Sequence, residues 1–240
     1  MRNYFQNTGD FARVCYESDG DAEKIGEHCI GAGHWPPARA VYFLFKVEGM
    51  ARILTQQVCR HHVGVEFAQK SQRYCDESSP SIVIPDSILH HPEALEEFIA
   101  LQNMVYKTYR KLASLGIPMD DARFSLTNAT ASDFNIGLTP QALVHLCHER
   151  RCNRASWQTH EMADKMAALV RDVEPRFTDL LVAKCDALGY CPEKQSCGKR
   201  PKKAEIFKVY ETWGGVAKSA HVATVNLGTE PHKPWKDNEV

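Results

Sequence analysis

A polar string at residues 56–74 sets the tightest limit on how this chain can fold. It holds Arg60 and Arg73, the pair His61 and His62, the amides Gln57, Gln69 and Gln72, and Ser71, with few apolar residues between them. It follows directly on an apolar helical pattern, so Arg60 cannot simply point into bulk solvent together with all its neighbours. A guanidinium forks onto phosphate and carboxylate oxygens bidentately. Gln69, Ser71 and Gln72 can supply the directional hydrogen bonds that read a planar amide ring. A solvated polar turn is the plain alternative, stronger for any single residue than for the string as a whole.

The rest of the chain narrows what such a site can bind. Net charge is −1, from 29 basic and 30 acidic residues, which argues against a general nucleic-acid or membrane-surface binder. Any anion site is therefore local, built from a few arginines. No apolar run is long enough to cross a bilayer, and the first residues lack the apolar core of a secretory signal. A cytoplasmic location is expected. The odd set of nine cysteines does not suit a disulfide framework. A chain of 240 residues suits one sizeable core, so a single domain over residues 1–240 is expected, ending in a mobile tail at about 230–240.

The order of elements follows from breakers and caps. Acidic residues after Asp19 start a helix that stops near Gly31–Gly33. The β-branched and aromatic run Val41–Val47 predicts a strand, broken by Gly49, and Met50–Arg60 returns to helical spacing. That spacing puts Gln57, Arg60 and His61 on one helix face. An extended segment follows Gly64. A long amphipathic helix spans about 92–115, from Pro92 to Gly116. Phe134–Leu138 reads as a strand. Thr139 and Pro140 cap and open a helix to about Arg151, and another runs from Ala155 to a break at Pro175. From Cys191 the chain reads as loop, with a short element over 204–213. Arg150 and Arg154 fall four apart; stacked on one helix they repel by a few tenths of a kcal/mol, roughly, which a bound anion would offset. A solvated basic face is the alternative.

Three stretches, in register, resemble the signatures of the flavin-dependent thymidylate synthases. The first is Gln57, Arg60-His61-His62 and, after an eight-residue gap, Ser71-Gln72-Arg73-Tyr74. The family signature has arginine where His62 stands, and its gap is one residue shorter. The second, Pro118 to Asn128, is similar to a Pro-x-Asp-Ala-Arg-x-x-Leu-Pro-Asn segment. The third, Leu143 to Trp157, is similar to a helix ending in Leu-Arg-x-x-x-x-Ala-Gln-Trp. Upstream, Gly33-His34 to Pro37 is similar to a Gly-His-x-x-Pro loop. The resemblance covers roughly residues 30–175.

The resemblance implies a mixed α/β fold with a sheet flanked by long helices, assembled as a homotetramer with sites at subunit interfaces. It implies reductive methylation of dUMP to dTMP, with FAD as the flavin, NADPH as its reductant and methylenetetrahydrofolate as the one-carbon donor. Gln57, Arg60, Gln69, Ser71, Gln72, Arg73, Arg123 and Arg150 fall where relatives contact the pyrimidine nucleotide, Arg60 and Arg73 on its phosphate. Arg150 would lie against the uracil carbonyl edge, stabilising negative charge that develops on the ring. His61, His62 and Arg154 fall where relatives touch the flavin, with His34 a further candidate. His145 replaces an amide-bearing residue there, and a family glutamate is missing near Ala40. Those departures bear more on the flavin contacts than on the nucleotide contacts.

Other chemistries remain open from sequence. Ser71 is a hydrogen-bond donor in this reading; a nucleophilic Ser71 would need an adjacent base such as His61 or His62. Cys59 and Cys75 flank the string and could attack a pyrimidine ring if nearby arginines lowered their pKa, with buried structural thiols as the default. Cys185, Cys191 and Cys197 are spaced more widely than structural zinc ligands, and no metal is expected. A paralogue that methylates or hydroxymethylates another pyrimidine nucleotide such as UMP, or a non-catalytic flavin- or nucleotide-binding protein, is the alternative to dUMP methylation.

Overall fold

The computed structural model describes residues 4–206, which fall in two compact units that meet in sequence at Gly189 and Tyr190. The expected mobile tail and most of the short element at 204–213 lie outside the described residues. The first unit carries β1 (Phe43–Ala51), β2 (Val65–Gln69) and β3 (Ala131–Leu138). Around them lie helices α1 (Tyr4–Tyr16), α2 (Ala22–Gly31), α3 (Arg52–Val58), α5 (Pro92–Ser114), α7 (Pro140–Arg150) and α8 (Trp157–Val173). Short turns α4 (Asp86–Leu89), α6 (Met119–Ala122) and α9 (Lys184–Leu188) complete it. The second described unit, residues 190–206, is loop-like, with an isolated bridge from Cys191 to Lys202.

The sheet is antiparallel in the order β1-β3-β2. Alternation along β3 buries Ser132, Phe134, Ile136 and Leu138 on one face. Phe45 and Phe67 both stand opposite Ile136, and Phe67 stacks on Phe134 with ring centroids 4.6 Å apart. Helices α7 and α8 help form this core, contributing Leu143, Leu146, Met162, Met166 and Val170. Each such side chain contributes about 1.5–3 kcal/mol when fully buried. The other sheet face is open: Leu44 remains 77% exposed.

Gly49 does not break β1. The strand shifts register between Val47 and Met50 and runs on to Ala51. Gly49 sits in this bulge at φ 72°, a conformation that costs a residue with a side chain more than it costs glycine. Its N–H donates to Asp133 Oδ1 at 2.8 Å and its carbonyl accepts from Gln158 Nε2 at 2.9 Å. The bulge delivers the chain straight into α3, which starts at Arg52 rather than Met50 and ends at Val58 rather than Arg60.

Helix α1 carries no start signal that spacing alone reveals. Its partner α2 approaches so closely that a Cβ on Gly9 would lie 1.6 Å from the Ala22 carbonyl oxygen, and one on Gly26 2.0 Å from that of Phe5. Arg176 then ties α2 to the segment after α8. It contacts Glu23, Glu27 and Glu174, and its guanidinium lies 3.9 Å from the Phe5 ring centroid.

Candidate active site

Beyond the last turn of α3, residues 59–64 run alongside α7 and are pinned at several points. Gly64, at φ 70°, presses against Thr139, whose Oγ1 would lie 2.6 Å from an added Cβ. Its carbonyl accepts the Thr139 N–H at 2.9 Å. Thr139 also caps α7 by accepting from the Ala142 N–H, so one residue fixes both the loop end and the helix start. At the far end of α7, Arg150 reaches back. Its Nε donates to His61 Nε2 at 3.0 Å and its Nη2 donates to the Gln57 carbonyl at 2.9 Å.

This contact dictates the state of His61. Nε2 must be the acceptor, so the ring is neutral with its proton on Nδ1. Burial, then Arg150, then His145 push its pKa down from 6.5 to about 4. The rings of His61 and His145 meet edge to face, with centroids 5.5 Å apart. Arg150 itself is held below its usual pKa, first by burial and then by Arg60. Gln57 is fixed from the other side, its Oε1 accepting from Ser156 Oγ at 3.1 Å. Gln57, His61 and Arg150, all half-buried, thus form one cluster of donors with the exposed His145 ring at its edge. The expected shared helix face for Gln57, Arg60 and His61 is not the reason: Arg60 and His61 lie past the helix end, Arg150 of α7 bonds Gln57 and His61, and Arg60 is exposed.

Adjacent arginines at the end of α7 do different work. Arg151 turns inward, pairing with Asp164 at 2.6 Å and donating to the Leu181 carbonyl. Arg154 lies beyond the helix in an exposed loop, so it does not stack one turn above Arg150 as the spacing suggested.

A second group forms where β2 ends. Gln69 turns its amide nitrogen inward, donating to Thr55 Oγ1 at 2.9 Å and Ser132 Oγ at 3.0 Å. The Ser71 hydroxyl accepts the Arg73 N–H at 3.3 Å, closing its own turn. Neither candidate base reaches it: His61 accepts from Arg150, and His62 donates its Nδ1 proton to the Arg60 carbonyl at 2.9 Å. Gln72 is buried. Arg73 and Arg123 converge on Asp120, at 3.3 and 2.7 Å. Sequence reasoning missed Asp120, although its place three residues before Arg123 was a readable i,i+3 pairing signal. It also missed Ser156, Thr55 and Ser132, which support the site from behind.

The remaining candidates stand apart or change role. His34 hydrogen-bonds Tyr16 of α1 at 2.8 Å, with no hydrogen bond or ring contact to the His61 cluster. His62 is exposed. Cys59 is exposed, not a buried structural thiol, and partial desolvation raises its pKa more than Arg52 lowers it; Cys75 is half-buried. Among the described residues there is no group of three His, Cys, Asp or Glu able to hold a metal, and no helix long and apolar enough to cross a membrane.

Comparison with known proteins fits this geometry. Residues 2–176 match the family model described as thymidylate synthase complementing protein. A flavin-dependent thymidylate synthase of Nitratidesulfovibrio vulgaris is 38% identical over 187 residues, covering 74% of this chain and 76% of the relative. One from Pyrococcus furiosus is 31% identical, covering 82% and 84%. The fold is shared with a crystal structure of the flavin-dependent thymidylate synthase from Helicobacter pylori, complexed with FAD and dUMP. That structure matches at a TM-score of 0.58 and 16% identity, over 75% of this chain and 94% of the other. By family model, relatives and mixed α/β fold together, this chain belongs to the flavin-dependent thymidylate synthase family.

Proposed function

We propose that the chain methylates dUMP to dTMP reductively, with FAD as its flavin. The observation that carries this reading is Arg150, held by a neutral His61 and the Gln57 carbonyl on the segment that matches the family signature. A fixed guanidinium in a half-buried setting stabilises negative charge developing on a pyrimidine carbonyl without reorganising during reaction. Arg60, Arg73 and Arg123 take the nucleotide phosphate, and Gln72 and Ser71 the nearby polar atoms. Gln69 acts through its carbonyl oxygen, since its nitrogen supports α3 and β3.

The donor set also suits the flavin. The His61 and His145 rings form an aromatic surface beside Arg60 and Arg150, which matches a flat ligand carrying phosphates. His62 and Arg154 extend that surface, and His34 joins it from another copy of the chain. When bound, the flavin supplies the hydride; the protein orients both partners and excludes water. NADPH would be the flavin's reductant and methylenetetrahydrofolate the carbon donor. Ser71 serves as a hydrogen-bond donor, because neither His61 nor His62 is placed to deprotonate it.

A cytoplasmic homotetramer completes this reading. Its support is the apolar surface left in one copy, including Leu44 on the open sheet face, Phe124 beside Arg123, and Ile99, Leu101 and Met104 on α5. Where such exposed residues join into a contiguous surface, a second copy can cover them. The UMP-methylating and non-catalytic alternatives are disfavoured by the names of the relatives. Expression in a thymidylate-auxotrophic host tests the proposal: growth without thymidine is expected. Failure to grow with a soluble, yellow protein present would contradict it. Light scattering tests the assembly, where an active monomer would overturn the tetramer.

A further inference from the structure

We propose that Asp120 is a built-in counter-anion for the phosphate-binding arginines, which a nucleotide monophosphate displaces on entry. The inference rests on the reading that Arg73 and Arg123 take the nucleotide phosphate. The Asp120 carboxylate lies between guanidinium groups from two segments, Oδ2 at 3.3 Å from Arg73 Nε and Oδ1 at 2.7 Å from Arg123 Nη2. It meets both guanidinium groups as an ion-pair partner without hydrogen-bonding their forks, and its Oδ1 is buried with no hydrogen-bond partner, so a phosphate that bonds those forks would compete for the same two cations.

Two features decide the direction of the effect. Each arginine has an anchor that does not depend on the carboxylate charge. Arg73 lies 5.3 Å from the Tyr74 ring centroid, and Arg123 Nε donates to the Asp120 backbone carbonyl at 3.0 Å. Removing the charge leaves both cations in place and raises the local charge by one. The three side chains are also 56%, 41% and 35% exposed, so their ion pairs are weak and exchangeable. The backbone of Asp120 stays fixed in α6, where Asp121 and Ala122 donate to the Pro118 carbonyl at 3.0 and 2.9 Å. A phosphate dianion brings more charge and more acceptor oxygens than the carboxylate it replaces.

The consequence is selective. Asp120 weakens binding of phosphate-bearing ligands and leaves binding of the bare nucleoside unchanged. Titration calorimetry of dUMP and of deoxyuridine into the FAD-loaded full chain tests this with wild type, Asp120→Asn, Asp120→Glu and Arg73→Ala/Arg123→Ala. Asp120→Asn should bind dUMP about two- to fivefold tighter, the factor an exposed ion pair is worth, with a steeper salt dependence. Deoxyuridine affinity should not move, and Asp120→Glu should resemble wild type. Equal or weaker dUMP binding by Asp120→Asn overturns the proposal, and a parallel loss for deoxyuridine would assign Asp120 to holding the site's shape instead. If Arg73→Ala/Arg123→Ala binds dUMP like wild type, the phosphate reading itself fails; if it loses dUMP while Asp120→Asn gains nothing, the counter-anion alone fails.

Discussion

Two arginine groups come from different stretches of the family resemblance, and they are held in opposite ways. Arg150 is half-buried and fixed by a neutral imidazole and a backbone carbonyl, with no carboxylate bonded to it. Arg73, which is exposed, and Arg123, which is half-buried, share a carboxylate. A desolvated cation held only by neutral acceptors keeps its full charge for whatever binds beside it. An exposed cation paired with a carboxylate is partly neutralised and easily exchanged. The first arrangement suits charge that develops during reaction, and the second suits a phosphate that must enter and leave.

The largest break in that comparison comes from Arg150→Ala. Removing one partner of a desolvated charge-assisted contact costs about 2–5 kcal/mol, so dUMP turnover should fall by well over tenfold. Steady-state kinetics with circular dichroism as a folding check decides it, and near-normal turnover would remove Arg150 from the reaction.

Acid should loosen the same cluster. His61 is held at a pKa of about 4, against 6.5 for the free side chain. Between those values the unfolded chain takes a proton there that the folded chain refuses, so stability rises with pH across this window. The contribution is complete above pH 6.5 and declines as pH falls toward 4. His61→Asn keeps an acceptor for Arg150 without titrating. Urea melts at pH 4.5, 5.5 and 7 should therefore show a shallower dependence in the variant; parallel curves would mean that His61 is not the neutral acceptor.

Smaller effects sharpen the other side. Ser71→Ala should lose about 0.5–1.5 kcal/mol of transition-state or nucleotide binding, the value of one neutral hydrogen bond. Complete inactivity with normal flavin content, together with a Ser71–nucleotide adduct by mass spectrometry, would instead make it a nucleophile. The smallest change expected is His62→Arg, which restores the family's permanent charge at an exposed position. FAD titration should show a modest gain in affinity, and an unchanged value would leave His62 as a solvent-facing residue.

Much of the scaffold was legible because its signals are local. Thr139-Pro140 announces α7 by cap and fixed φ, and Pro92 and Gly116 bracket α5. The Gly49 bulge was not, because a glycine at positive φ reads the same whether it ends a strand or kinks it. Helix α1 escaped because its buried face includes Thr8 and Gly9, which carry little apolar signal, and its close approach to α2 is a tertiary fact. In the site, residue types were readable and partners were not. Spacing put Arg150 under Arg154 and Gln57 under Arg60, but α7 and α3 both end before those pairs can form. Gln69 looked free to meet a ligand until Thr55 and Ser132, distant in sequence, turned its nitrogen inward.

Reductive methylation at the Arg150 site is tested most directly by a single-turnover assay. FAD-loaded protein, reduced by NADPH and given methylenetetrahydrofolate and labelled dUMP, is quenched and its nucleotides are separated, with Arg150→Ala run alongside. Wild type should yield dTMP, and the variant should lose most of it at equal flavin content. No dTMP from wild type, or equal amounts from both proteins, would contradict it.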